Sequence, residues 1–299
     1  MDPILRHYNT DNAGVRSHLR QLLSHGALKN TGKLLIYPPD QGFEHGPGRS
    51  FSMNPDAYDP FFHFQFAIDA GFSAIAAPLG LLDAGAHEFA GQIPFILKVN
   101  HGHSLHKNYN QAQIAHIDDA LRLGCIGVGY TIYPGSTHDT EMFEKLSDLI
   151  EQAKRSGLLV IVWSYPRGED MKIEHQTALD VVAYGAHMAC LMGAHIVKTK
   201  IPSKVLYTKE AQDIYPKHVL MDTLTQRIQH VVDACFSGKR LIVFSGGEQQ
   251  DVSQIYEEAK AISQAGGHGS IIARNCYKRP RHEATDMIKN LIAIYTQQH

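Results

Sequence analysis

The sequence predicts a single (β/α)₈ barrel, and two observations support this prediction. Eight short apolar or β-branched runs of strand length recur along the 299 residues, and helix-period segments lie between them. These runs start about 34 residues apart, close to the spacing of just over 30 residues that such a barrel requires. Residues 1–33 are expected to form an N-terminal helical extension, and residues 34–299 are expected to form the barrel domain.

The predicted strands follow one another without a change in composition. In chain order they are 34–39, 73–78, 95–100, 127–133, 158–165, 195–200, 240–246 and 269–275. Helices are predicted at 59–69, 141–155, 178–192, 224–236, 252–263 and 282–295, and the longest interval, 201–239, carries extra sequence after the sixth strand. The main alternative is a doubly wound open sheet, but the Gly-rich phosphate turn expected after an early strand is missing from the sequence.

The composition excludes several classes of protein. Hydrophobic residues are 43% and charged residues 19% of the chain, as in ordinary globular domains. The formal net charge of −2 lacks the basic excess of a general nucleic-acid binder, and no apolar run is long enough to span a membrane. The start of the sequence does not read as a signal peptide. Four widely spaced cysteines are expected to be reduced thiols in a cytoplasmic protein: Cys125, Cys190, Cys235 and Cys276.

Polar and aromatic side chains cluster at the C-terminal ends of the predicted strands. In this fold the reactive groups lie at those ends, where a purely structural core would prefer Val, Ile and Leu. We therefore predict a functional site at this rim, which the following residues are expected to share: Asp40, Lys98, Asn100, Tyr130, Tyr133, Trp163, Tyr165, Lys198, Lys200, Ser245, Arg274 and Asn275.

The sixth strand carries the most informative pattern. Lys198 and Lys200 are two residues apart, so their side chains face the same way. If that face is the barrel interior, burial and like charge lower the pKa of both amines, and a neutral lysine forms a Schiff base with a carbonyl group. The alternatives are that both lysines hold a substrate phosphate at the rim or that they face outward into solvent.

Two neighbouring segments offer partners for such a lysine. Trp163 and Tyr165 share a face of the fifth strand, where a tyrosine hydroxyl can act as general acid or base. The alternative is an aromatic pair that plugs the barrel. Asp40 lies in a Gly- and Pro-rich turn after the first strand, where it either orients a substrate hydroxyl and shuttles protons or serves only the turn.

The last two strands and a histidine-rich segment suggest binding sites. Barrels often bind phosphate after the seventh and eighth strands, where this chain has Ser245, Gly246, Gly247 and Arg274. The alternative is a tight turn and a surface arginine. His101, His103 and His106 alternate as zinc ligands can, but a fourth ligand at a recognisable spacing is missing from the sequence, so we predict a histidine-rich loop and no metal.

Six motifs in the same order resemble the archaeal-type class I fructose-bisphosphate aldolases, a family that also has bacterial members. The motifs are DQGFEHGP (40–47), GYTIYPGS (129–136), VWSYPRG (162–168), GAHIVKTK (193–200), FSGG (244–247) and ARN (273–275). The resemblance covers nearly the whole chain and is strongest to the bacterial members, which share the longer segment after the sixth strand. Two features depart from the family: Ala273 where many members have glycine, and the histidine-rich segment 100–106.

The resemblance implies an activity and a role for each matching residue. The family cleaves fructose 1,6-bisphosphate reversibly to dihydroxyacetone phosphate and glyceraldehyde 3-phosphate, a step of glycolysis and gluconeogenesis, without a metal or other cofactor. Lys198 matches the Schiff-base nucleophile, Tyr165 the acid/base residue and Asp40 the residue that assists proton transfer. The substrate-binding candidates are Trp163, Lys200, Lys98, Ser245, Gly246, Gly247 and Arg274. The family also forms homo-oligomeric rings, often decamers of stacked pentamers.

Two other interpretations of the sequence stay open. One is a related Schiff-base aldolase, a transaldol-type transferase or a thiolase-like enzyme that acts on another phosphorylated keto-sugar, because such relatives share the lysine and the phosphate site. The other is a non-catalytic barrel that binds sugar phosphates as a sensor or scaffold. Every interpretation predicts a small-molecule sugar phosphate as partner, and none predicts nucleic acid or membrane.

Overall fold

Eight parallel strands close into a barrel in this computed structural model, which describes residues 3–105, 108–245 and 251–297. Numbered in chain order, the barrel strands are β1 Leu34–Tyr37, β2 Ala74–Pro78, β3 Phe95–Lys98, β4 Gly127–Ile132, β5 Leu159–Ser164, β6 Ile196–Lys200, β7 Leu241–Ser245 and β8 Gly269–Ile271. Each strand pairs with the next in the chain, and β8 pairs with β1 to close the barrel. The predicted (β/α)₈ barrel is confirmed.

Helices flank the strands and include all six that the sequence predicts. Their bounds are α1 Ala13–Leu23, α2 Gln41–His45, α3 Pro47–Phe51, α4 Pro60–Asp69, α5 Leu79–Phe89, α6 Ile117–Arg122, α7 Asp139–Arg155, α8 Leu179–Met192, α9 Lys209–His218, α10 Leu224–Ala234, α11 Val252–Gln264, α12 Arg274–Tyr277 and α13 Arg281–Thr296. Short 3₁₀ helices span Leu5–Tyr8, Pro55–Tyr58 and Ile173–Thr177.

Helices α5, α6 and α9 were not predicted from the sequence, for identifiable reasons. Helix α5 contains two glycines, which weaken its helical propensity, and α6 is only six residues long. Helix α9 carries Pro216 in its interior and lies in the extra sequence after β6. Thr208 caps α9, and its backbone N–H and hydroxyl both donate hydrogen bonds to the buried Asp180, so the extra segment is anchored on α8.

The period-two alternation of the strands divides the apolar residues into two packed layers. On β5, Leu159, Ile161 and Trp163 point into the barrel, whereas Val160 and Val162 pack with the surrounding helices. Burial of both faces explains why the strands are nearly continuous apolar runs in the sequence.

The N-terminal extension packs against the N-terminal end of the barrel. The apolar face of α1 joins the interior layer, together with Leu5 and Tyr8 from the preceding 3₁₀ helix. The Tyr8 hydroxyl donates to the His195 carbonyl at 2.7 Å and accepts from the Leu241 N–H at 3.1 Å. Because both partners adjoin strand starts, the extension covers that end and leaves the opposite end for a site.

The sequence also predicted that the chain has no membrane span and that its cysteines are reduced. No helix within the described residues is long and apolar enough to cross a membrane. All four cysteines are buried free thiols, and none forms a disulfide.

Candidate active site

A cavity of about 360 Å³ opens at the C-terminal ends of the barrel strands. It is lined by Asp40, Lys98, Tyr133, Trp163, Tyr165, Lys198, Lys200, Ser245, Arg274 and Asn275 from the predicted set. The lining also contains residues that the sequence analysis did not select as site residues, among them Gln41, Glu44, His45, Gln111, Thr131 and Arg167. The structure therefore brings the predicted nucleophile, its aromatic neighbours and the described phosphate candidates to one space.

Tyr130 and Asn100 are the two residues expected at this rim that do not line the cavity. Asn100 is buried beside it, where it accepts hydrogen bonds from Lys98. The neighbours of Tyr130 in the chain, Thr131 and Tyr133, line the cavity, but Tyr130 packs in the layer between the barrel and the helices. Alternation along β4 explains the difference, since adjacent residues of a strand face opposite sides. The expectation that Tyr130 shares the site was wrong.

Lys198 lies at the centre of the site and is almost completely buried. Its Nζ is 4.9 Å from the centroid of the Trp163 ring and 5.6 Å from that of Tyr165. Burial lowers the pKa of Lys198 to about 8, although the negative charges of Asp40 and Glu44 oppose this shift. The result is an amine that is partly neutral near pH 7, with its aromatic neighbours positioned around it.

Gly129 makes room for the tryptophan beside Lys198. A Cβ atom at Gly129 would lie 2.3 Å from an atom of the Trp163 ring and 3.3 Å from the Lys98 side chain. Only glycine at this position of β4 lets the indole lie inside the barrel. A glycine in the interior of a strand is the sequence signal for this close approach.

Lys98 is a second buried amine in the same cavity. Its Nζ donates hydrogen bonds to the backbone carbonyl and, at 2.7 Å, to the side-chain Oδ1 of Asn100. Asn100 is itself fixed, because its side chain donates to the Thr131 carbonyl and accepts from the Thr131 N–H. Burial lowers the pKa of Lys98 to about 7, and the charge of Lys198 lowers it further, whereas that of Asp40 opposes the shift.

Asp40 places a carboxyl group beside the two amines. It is the N-cap residue of the short helix α2, but its side chain accepts no capping hydrogen bond and lines the cavity instead. Burial raises the pKa of Asp40, and the positive charges of Lys198 and Lys98 oppose that rise. Within the described part of the chain, its Oδ1 has no hydrogen-bond partner, so this oxygen is available to a substrate.

The phenol of Tyr165 lies next to Ser245, a residue of the predicted phosphate site. Its hydroxyl donates to Ser245 Oγ at 3.4 Å, a long hydrogen bond. Burial raises the pKa of Tyr165, so the group is a neutral phenol at neutral pH. A phenol in this state can donate a proton or a hydrogen bond to a group on Lys198.

Ser245 and Arg274 line the cavity at the ends of β7 and β8, as expected for a phosphate site. Gly246 and Gly247, predicted to share that site, lie outside the described residues. Ala273, where many family members have glycine, has φ −132°. Because this φ is negative, the position does not require the left-handed backbone that favours glycine.

A polar network forms the other side of the cavity. The Arg167 guanidinium lies 4.9 Å from the centroid of the Tyr133 ring and 3.9 Å from a Glu44 carboxylate oxygen. Gln111 donates to the Tyr133 hydroxyl at 2.6 Å. Glu44, Gln111 and Arg167 were not predicted as site residues because none of them lies at a strand end: Glu44 is in the short helix α2, and the other two are in loops. Only the motifs around Glu44 and Arg167 indicated their importance.

The histidine-rich segment splits between two environments. His101 is buried in the cavity wall, whereas His103 is exposed and His106 lies outside the described residues. In the parts of the chain that the structure covers, no three His, Cys, Asp or Glu side chains converge as metal ligands.

Comparisons with known proteins agree on one family. A family model described as "DeoC/LacD family aldolase" matches residues 34–279. The probable fructose-bisphosphate aldolase class 1 of Chlamydia trachomatis serovar D is 32% identical over 296 residues, which cover 95% of this chain and 85% of that protein. The fructose-bisphosphate aldolase class 1 of Thermoproteus tenax is 33% identical over 251 residues, covering 83% of this chain and 84% of that protein.

A solved archaeal structure is similar in both fold and sequence. It is a fructose-1,6-bisphosphate aldolase with its catalytic lysine covalently bound to the carbinolamine intermediate of the substrate. The TM-score is 0.77 at 28% identity, and the match covers 93% of this chain and 98% of that one.

Proposed function

Since this chain belongs to the DeoC/LacD family of aldolases and its relatives include class 1 fructose-bisphosphate aldolases, we propose that it cleaves fructose 1,6-bisphosphate reversibly through a Schiff base. The products are dihydroxyacetone phosphate and glyceraldehyde 3-phosphate, as in glycolysis and gluconeogenesis. One observation carries the proposal: Lys198 is a buried lysine beside a tyrosine and a tryptophan, and its pKa is lowered to about 8.

The lowered pKa supplies the nucleophile. At pH 7 a lysine of pKa about 8 is neutral in roughly one molecule in ten, against well under one in a thousand for an ordinary lysine. Neutral Lys198 attacks the C2 carbonyl of the ketose, and a proton moves from nitrogen to oxygen to give a carbinolamine. Tyr165 then donates its proton to the carbinolamine hydroxyl, which leaves as water and forms the iminium.

The same tyrosine completes the cleavage. The tyrosinate formed on dehydration takes the proton of the C4 hydroxyl, the C3–C4 bond breaks, and its electron pair moves through C3 to the iminium nitrogen. The aldehyde leaves, and the remaining enamine is protonated at C3, which restores an iminium that water hydrolyses. Asp40, with one oxygen available, orients a substrate hydroxyl and assists these proton transfers.

Binding at the cavity rim positions the carbonyl. Ser245, Gly246, Gly247 and Arg274 hold the C1 phosphate after β7 and β8, while Lys200 and Lys98 add positive charge for an anionic substrate. Trp163 packs beside the reacting carbons and shields the iminium from water. Holding one end of the ketose keeps C2 near Lys198 and raises its effective concentration.

Two further proposals concern the assembly and the location of the protein. We propose a cytoplasmic homo-oligomer, the ring form that the family resemblance implies. Tyr184 and Leu191 lie seven residues apart on one face of α8 and are 60% and 66% exposed. An exposed apolar face of this kind supports burial between subunits.

Borohydride trapping tests the proposed reaction directly. The protein is incubated with fructose 1,6-bisphosphate, reduced with borohydride and measured by intact and peptide mass spectrometry. The expected result is a three-carbon phosphate adduct on Lys198, because cleavage precedes reduction. A hexose adduct without release of aldehyde would favour another keto-sugar substrate, and binding without any adduct would favour a sugar-phosphate scaffold.

The pH dependence of cleavage should follow the Lys198 amine. Only the neutral amine attacks, so kcat/KM is expected to rise about tenfold per pH unit on the acid side and to level off above pH about 8. The measurement is kcat/KM for fructose 1,6-bisphosphate between pH 6 and pH 10. A profile that still rises steeply at pH 10 would mean that the nucleophile has an ordinary lysine pKa.

Metal removal should leave the activity intact. The iminium withdraws electrons from the breaking bond, the task that a metal ion performs in metal-dependent catalysis. We therefore expect full cleavage activity after prolonged dialysis against EDTA. If activity were lost and then restored by added Zn²⁺, this expectation would be contradicted, and the histidine-rich segment would be the candidate metal site.

A further inference from the structure

One imidazole in the cavity wall has no part in the proposed chemistry. His101 lines the cavity and is 5% exposed. Its backbone pairs with Ala112 in a short antiparallel ribbon, and its ring lies 4.9 Å from the Phe43 ring, centroid to centroid. Among the residues that the structure describes, nothing hydrogen bonds to its Nε2. A buried ring whose Nε2 has no hydrogen-bond partner among the described residues therefore lies in the wall of the cavity.

The charges around His101 decide what the ring can bind. Burial lowers its pKa well below the usual value, and the positive charges of Lys98 and Lys198 lower it further. A neutral imidazole has one N–H donor and one nitrogen acceptor. A hydroxyl group complements Nε2 in either tautomer, because it can donate or accept the hydrogen bond, whereas the uncharged ring offers a phosphate or a carboxylate no ion pair.

The position of His101 in the barrel indicates which half of the substrate lies near its ring. It follows β3, whereas Ser245 and Arg274 lie at the ends of β7 and β8. In an eight-stranded closed barrel, β3 and β7 stand on opposite sides of the axis. A ketose joined to Lys198 through C2, with its C1 phosphate toward β7 and β8, extends its C4–C6 half toward the His101 side.

We propose that His101 hydrogen bonds to a hydroxyl in the aldehyde half of the substrate and so determines specificity for 2-hydroxyaldehydes. This inference rests on the proposed aldolase function, because it assumes that C2 is held by Lys198. An aldehyde that lacks the hydroxyl leaves the buried ring nitrogen unpaired, and an unpaired polar group in a closed site disfavours that complex.

Aldehyde competition in the condensation direction tests the proposal. Dihydroxyacetone phosphate is supplied with either glyceraldehyde 3-phosphate or 3-phosphopropanal, which lacks only the 2-hydroxyl, and kcat/KM is measured for each. The wild type is expected to favour the hydroxylated aldehyde. His101→Phe, which retains a ring against Phe43, should lower kcat/KM for that aldehyde about tenfold and change the value for 3-phosphopropanal less than about threefold.

Three controls distinguish specificity from structure. His103→Phe makes the same chemical change at an exposed neighbour and should keep the wild-type preference. His101→Gln retains a donor and an acceptor and should restore part of the preference that His101→Phe loses. Borohydride trapping of dihydroxyacetone phosphate on Lys198 should stay normal in every variant, since the three-carbon half does not reach His101.

Two outcomes would overturn the inference in distinguishable ways. If His101→Phe, or His101→Ala where the phenylalanine variant folds poorly, traps dihydroxyacetone phosphate normally but keeps the wild-type aldehyde preference, His101 has no role in specificity and the proposed function stands. If the wild type itself forms no dihydroxyacetone phosphate adduct, the proposed function fails, and this inference fails with it.

Discussion

Replacing Lys198 with methionine is expected to abolish borohydride trapping and to lower cleavage of fructose 1,6-bisphosphate by about 10⁴-fold or more. Methionine keeps a long apolar stem in the buried position next to Trp163 and removes only the amine. No carbinolamine can form without that amine, so the electron sink for the C3–C4 bond is lost. The measurements are turnover and the mass of the reduced protein.

Lys200→Met is the matched control for this variant. Lys200 lies two residues further along the same face of β6, is less buried than Lys198 and lines the outer part of the cavity. The variant should still form the adduct, with weaker substrate binding because one positive charge is lost. An adduct that maps to Lys200 in the wild type, or that persists in Lys198→Met, would show that the nucleophile was assigned to the wrong lysine.

Replacing Tyr165 with phenylalanine is expected to slow cleavage at least about 100-fold while the protein still folds. A positioned acid or base contributes about 10²–10⁴-fold, or roughly 3–5 kcal/mol of barrier. The lost hydrogen bond to Ser245 is long, at 3.4 Å, so its loss should cost less than about 1 kcal/mol of unfolding free energy. The variant should still trap dihydroxyacetone phosphate on Lys198, but more slowly than the wild type, because Tyr165 also protonates the carbinolamine hydroxyl. The measurements are kcat, the rate of trapping and Tm on one preparation.

Tyr8→Phe provides the opposite pattern as a control. Its hydroxyl makes two hydrogen bonds, of 2.7 and 3.1 Å, at the N-terminal end of the barrel, opposite the cavity. Removing it leaves a buried N–H unpaired, so Tm should fall by several degrees while turnover of the folded enzyme is unchanged. If Tyr165→Phe behaved like Tyr8→Phe, with lower Tm and near-normal kcat, Tyr165 would be a structural residue and not a proton carrier.

Much of the fold could be predicted because it depends on local periodicity. A strand buried on both faces must be a short apolar run, and a parallel strand needs a crossover of a dozen residues or more. Eight such runs at barrel spacing leave few other topologies. Helices whose apolar pattern is interrupted could not be predicted in this way, because α9 contains Pro216 and α5 contains two glycines. Tertiary packing stabilises these helices despite their weak helical propensity.

Part of the site was also predictable from spacing. Lys198 with Lys200, and Trp163 with Tyr165, share faces because strand side chains alternate with a period of two. The same rule cannot tell which of the two faces points inward. For that reason Tyr130 was assigned to the rim, whereas the register of β4 turns it toward the helices and turns Thr131 into the cavity.

The sequence by itself determined the eightfold β/α alternation, the paired lysines of β6 and the strand ends at which reactive groups gather. Only the tertiary structure decided which faces point inward, that His101, Gln111 and Arg167 join the cavity, and that Gly129 makes room for Trp163. The lowered pKa of Lys198 is likewise a tertiary property. The physical reason is that burial and Coulomb interactions depend on distances through space, which closure of the barrel sets between residues far apart in the chain.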